Sequence, residues 1–140
     1  MTLLIPSASK KLILDFQLGV ATPGNQQIRL FTNSYTPVDT DTLASYTEMT
    51  AVLGYTVGGK TLTKTSWVDT ASGTGIPANA VYPVQTWTFT AGTAVTVYGY
   101  MVVDVTTGLL LWAEAFASSK TVQNNGDQII ITPTITYTHS

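Results

Sequence analysis

Few residues in this chain have the types and spacing to do chemistry. General acid–base catalysis needs two positioned proton carriers, and the single histidine, His139, is the penultimate of 140 residues. A fraying end holds such a group poorly, so a Ser-His-Asp or Cys-His arrangement is not expected. Asp104 and Glu114 stand on either side of a connection that contains Gly108. A hairpin there would bring the two carboxyls towards each other, as a glycosidase pair requires, at a separation set by the turn register. The simpler reading has Asp104 initiating the turn and Glu114 on a solvated or inter-subunit face. Asp39, Asp41 and Glu48 carry ligand-type oxygens but lack the dense spacing of a calcium loop. Helix capping accounts better for Asp39 and Asp41. The glycines of Gly54–Gly59 and Gly73–Gly75 are not followed by the Gly-Lys-Ser/Thr of a phosphate loop. Trp67, Trp87 and Trp112 would form a sugar-stacking platform if coplanar and exposed, whereas core and edge packing is the commoner use of tryptophan. The expectation is a protein that is not an enzyme and takes no metal or cofactor.

Composition narrows the partners. Charged residues make up 10% of the chain and apolar ones 44%, against roughly 25% charged in an average soluble domain. That is too apolar for a disordered chain. Its 140 residues suit one domain, 1–140, with a core of its own. Threonine is frequent: either it fills solvent-facing strand positions, or it forms a weakly charged surface that packs against neighbours at little desolvation cost. Lys10, Lys11, Arg29, Lys60, Lys64 and Lys120 are scattered, with a net charge of −2, so no basic stripe exists for nucleic acid. With no cysteine there is no disulfide, Cys-type zinc site or thiol nucleophile. Leu3–Ile5 is too short for a signal-peptide apolar region, and no run approaches the ~20 apolar residues of a membrane span. The expected place of synthesis and folding is a cytoplasm.

The elements that would position these residues are mostly strands. Val81–Thr90, Ala94–Asp104, Leu109–Phe116 and Asp127–Tyr137 are rich in β-branched and aromatic residues and read as strands. Their connections are Ala91–Gly92, Val105–Gly108 and Ala117–Gly126, and Gly108 marks a hairpin turn. Pro133 places the last strand at an edge or gives it a bulge. Gln26–Thr32 is a strand with Ile28 and Leu30 on one side and Arg29 and Phe31 on the other. Lys60–Val68 is a further strand, Glu48–Tyr55 holds only a short one, and Asp69–Ala80 is a surface loop. Lys10–Leu18 fits both periods, with the helix preferred because Ser9 can cap it and Gly19 can end it. Asp39 or Thr40 can cap a helical turn over Thr42–Tyr46. Met1–Ser9 reads as an N-terminal arm whose apolar Leu3, Leu4 and Ile5 are interface candidates. Seven or eight short strands at this spacing predict a mostly β domain: an antiparallel sandwich, jelly-roll or immunoglobulin-like, with one or two short helices.

Short signatures run through nearly the whole chain. Leu-Leu-Ile-Pro opens it, followed by IRLFTN (Ile28–Asn33), Thr36-Pro37, Tyr46-Thr47-Glu48, Gly54-Tyr55 and Trp67. VYGYMVVD (Val97–Asp104) then leads into LLLWAEAF (Leu109–Phe116), and GDQIIITPTITY (Gly126–Tyr137) closes the series. In this order the chain resembles small virion structural proteins of tailed bacteriophages. The resemblance implies a capsid decoration, or cement, protein or a minor head or tail component. Such a protein is a β-sandwich, homo-oligomeric, bound to the major capsid protein and located in the virion. It carries over no catalytic residue, because the matched positions are turn glycines and core aromatics. The rival from another class is a carbohydrate- or receptor-binding β-sandwich of a phage tail or fibre.

Overall fold

The computed structural model describes residues 5–70 and 78–137. Strand accounts for 41% of it and helix for 13%, and every strand pair is antiparallel. Helix α1 spans Ser7–Gln17, and the strands are β1 (Gln26–Phe31), β2 (Lys60–Leu62), β3 (Val68–Thr70), β4 (Ala78–Val81), β5 (Gln85–Thr88), β6 (Val95–Asp104), β7 (Leu110–Val122), β8 (Gln128–Ile131) and β9 (Thr134–Tyr137). One sheet has the order β2-β1-β6-β7, a second β3-β4-β9, and β5 pairs with β8. The last two ladders run on from one another, because the Tyr82 amide donates to the Pro133 carbonyl between them at 2.9 Å.

Both faces of the four-stranded sheet are covered, which explains the unbroken apolar run of β6. Ile28, Leu30, Val97, Val102 and Trp112 face the main core with Trp87, Phe89, Ile129 and Ile131. Phe31, Met101, Leu110 and Ala113 face a smaller core closed by Tyr46, Tyr35 and Leu43. The alternation expected across Gln26–Thr32 is thus realised, with Ile28 and Leu30 on one side and Phe31 on the other.

Several element boundaries differ from the sequence reading. The helix starts at Ser7 rather than Lys10, so Ser7–Ser9 are not part of an arm, and extended Pro6 takes the N-cap place expected of Ser9. Among the described residues no side chain caps α1. Instead the Ser7 amide donates to the Asp39 carbonyl at 2.9 Å, supplying one of the partners a helix start lacks. Gly19, at φ +69°, ends the helix: its amide reaches the Phe16 carbonyl and that of Val20 the Asp15 carbonyl, a Schellman closure. Lys60–Val68 is not one strand but two, split by a 3-10 turn at Lys64–Ser66. Val81–Thr90 is likewise split at Pro83, and Asp127–Tyr137 at Thr132-Pro133, since proline offers no amide to a ladder. Glu48–Tyr55 contributes a single bridge, Phe31 to Glu48. The expected loop Asp69–Ala80 begins and ends in strand, and the expected connection Ala117–Gly126 is strand as far as Val122. The helical turn over Thr42–Tyr46 is a 3-10 turn, Leu43–Ser45, capped by Thr42 rather than by Asp39 or Thr40.

Candidate functional site

β6 and β7 place the two hairpin carboxylates apart. Glu114 stands directly across from Tyr100, whose hydroxyl donates to it in the main core. Burial and the Glu114 carboxylate push the Tyr100 phenol above its ordinary range. Asp104 lies four residues further along β6, about 13 Å at the rise of a strand. The two carboxyls of a glycosidase stand roughly 5–9.5 Å apart, closer than the backbone positions of this pair. Asp104 is buried and accepts from both the amide and the hydroxyl of Thr107, at 2.7 and 2.8 Å. It shapes the turn in which Gly108, at φ +69°, returns its amide to the Asp104 carbonyl at 2.8 Å.

The other acidic residues tie loops down. Asp41, buried beside the smaller core, accepts from the hydroxyls of Tyr35 and Tyr46, each at 2.6 Å, and from the Val38 amide at 2.8 Å. Burial pushes its carboxyl up, but these donors outweigh burial and hold it below the usual carboxylate range. Asp39 binds the Lys10 ammonium and the Ser7 hydroxyl, both at 2.6 Å, joining its loop to α1. Lys10, then Ser7, lowers its pKa. Neither aspartate stands at an N-cap position. Glu48 receives Arg29 at 3.2 Å, the Tyr55 hydroxyl at 3.0 Å and the Gly58 amide. Burial above all raises the Tyr55 phenol. Among the described residues no three acidic or histidine side chains converge as metal ligands would. His139 lies outside the described residues.

The tryptophans do not form a platform. Trp87 and Trp112 are buried, and Trp67 meets Trp112 edge-on, with ring centres 6.1 Å apart and planes at 66°. Trp67 donates to Gln26 Oε1 at 3.1 Å, and Lys60 Nζ stands 5.4 Å over the Trp87 ring. An apolar cleft of about 230 Å³ opens between α1, β7 and β9, with Ile5, Ile13, Phe16, Trp112 and Ile135 in its wall. Of the three interface candidates, Ile5 is therefore partly buried against the main core, while Leu3 and Leu4 lie outside the described residues. Among those residues no helix is long and apolar enough to cross a membrane.

Sequence reasoning did not anticipate Tyr100, Tyr35, Tyr46 or Arg29 as partners of the acidic groups. The apolar strand 97–104 opposite 109–116 was the signal available, and it pairs Tyr100 with Glu114 only once the register is known. Comparison with family models and with curated proteins finds no match to this chain.

Proposed function

We propose that this chain is a virion structural protein of a tailed bacteriophage, a capsid decoration protein that binds the major capsid protein lattice as a homo-oligomer. In this reading the four-stranded sheet and the β3-β4-β9 and β5-β8 ladders are the two layers of an antiparallel sandwich. The observation that carries it is the use made of the ionisable groups. Asp41, Asp104, Glu48 and Glu114 each hold a turn, loop or strand pair in place. Among the described residues no three acidic or histidine side chains converge, and only 10% of the chain is charged. A protein that cements a shell needs rigidity and neighbours on several sides rather than reactive groups. The order of short signatures along the chain agrees with this role. The carbohydrate-binding alternative depends on exposed, coplanar tryptophans, and two buried tryptophans with a half-buried third set edge-on to one of them do not favour it.

The test is binding of the purified chain to assembled phage shells, followed by cryo-electron microscopy of the decorated particles. Saturable density over the capsid lattice is the expected result. Absence from shells, with binding to a glycan or a tail receptor instead, would overturn the reading.

A further inference from the structure

The last two strands, which follow one another across the Thr132-Pro133 break, share an uncharged outer edge. Among the described residues β8 and β9 each pair on one side only, with β5 and β4. In an antiparallel ladder alternate residues turn both main-chain groups towards the partner strand. The Phe89 amide donates to the Asp127 carbonyl and the Tyr82 amide to the Pro133 carbonyl, each at 2.9 Å. Asp127 and Pro133 thus face inward, and with them the odd-numbered residues between and beyond. Gln128, Ile130, Thr132, Thr134 and Thr136 therefore turn their amides and carbonyls outward. Pro133 occupies an inward position, so its missing N–H leaves this outer row complete. Within the row, the Thr132 carbonyl takes the Thr134 hydroxyl at 3.2 Å.

Natural sheets guard such edges with charge, bulges or a covering element, and the other edges here carry such devices: β5 takes the Lys60 ammonium on its Thr86 carbonyl at 2.7 Å. β7 carries Lys120, bulges by setting Phe116–Ser119 against Tyr98 alone, and receives the Ser9 hydroxyl on its Leu110 carbonyl. β2 carries Lys60, and β3 carries Asp69. Gln128–Thr136 holds no charged residue, and its Ile130 is 61% exposed.

We infer that the outer edge of Gln128–Thr136 is a self-pairing interface, which adds antiparallel to the same edge of a second copy about a two-fold axis at Thr132. The axis sets Thr132 against itself, Ile130 against Thr134 and Gln128 against Thr136. All five outward residues then meet outward residues, as reciprocal hydrogen bonding requires. Aliphatic and threonine side chains meet across the join, and no like charges do. An identical, uncharged edge is the partner this row fits, and the contact is isologous. The inference deepens the homo-oligomer of the proposed function but is testable without a shell.

Sedimentation of the full chain from micromolar to millimolar concentration reads it. Wild type should dimerise. Thr132→Lys and Thr132→Glu should each weaken self-association about ten-fold or more, because the axis places like charges together. At concentrations where wild type is monomeric, both should keep its melting temperature, since the Thr132 side chain is exposed. An equimolar mixture of the two should recover a dimer. A monomeric wild type, variants that associate as wild type does, or a mixture without recovery would each overturn the inference. So would a monomeric chain in which Thr132→Lys loses shell binding, which assigns the edge to a different protein. A dimer through this edge with no affinity for shells would leave the inference standing and remove the decoration role.

Discussion

Replacing Asp41 tests whether a buried carboxylate holds the 35–46 loop over the smaller core. Asp41 is 4% exposed, and its carboxylate takes three hydrogen bonds from uncharged donors, Tyr35, Tyr46 and Val38. A hydrogen bond to a charged group contributes about 1.5–3 kcal/mol. Three of these do not add fully, because half-buried Tyr35 can turn to water in the variant while buried Tyr46 cannot. Asp41→Ala should therefore cost about 3 kcal/mol, lowering the melting temperature by ~10 °C for a domain of this size. Asp41→Asn, which keeps one acceptor, should cost about half as much. The pH dependence has a definite sign. The folded carboxyl titrates below its ordinary value, so its stabilisation is fully present above the unfolded value of about 3.9. It is lost as pH falls through the lower folded value. Urea denaturation of wild type and Asp41→Asn at neutral pH and across the acid range reads this directly: the gap between the two should close only in acid. A cost for Asp41→Ala under about 1 kcal/mol, or a gap indifferent to pH, would refute the reasoning.

Three further substitutions probe the hairpin and the helix that packs on it. A Cβ on Gly99 would press on the Glu114 carbonyl and stand 2.6 Å from the Phe31 ring. Gly99→Ala should accordingly cost about 2–3 kcal/mol in chemical denaturation, and a neutral outcome would mean that β6 and β7 are further apart there. Gly108 has open space around it but φ +69°, so Gly108→Val should cost on the order of 1 kcal/mol or more through left-handed strain alone; an unchanged melting temperature would argue against that conformation. Ser9 is fully buried with its hydroxyl on the Leu110 carbonyl. Ser9→Ala should cost about 1–2 kcal/mol, and amide exchange at Leu12 and Phe16 should rise if this contact anchors α1 to β7.

The amino-acid sequence by itself determined the class of structure and the hairpin at its centre. The β-branched and aromatic run of 95–104, the turn at Gly108 and the apolar start of β7 act over a few residues, so local preference sufficed to place them. Ile28 and Leu30 opposite Phe31 followed from the two-residue period of a strand. What local preference did not contain was decided by pairing. Ala117–Lys120 has a polar, patternless sequence, yet it lies within β7, because Val95–Val97 offers Lys120–Val122 a ladder. Val81–Thr90 and Asp127–Tyr137 break at prolines that face one another's ladders, a coincidence visible only once 82 is seen to bond 133. The partners of Asp41, Glu48 and Glu114 depend on loop paths and strand register, which are properties of the whole chain. So does the outer edge of β8 and β9: the sequence shows that 128–136 is uncharged, but only the tertiary structure leaves it without a second neighbour among the described residues.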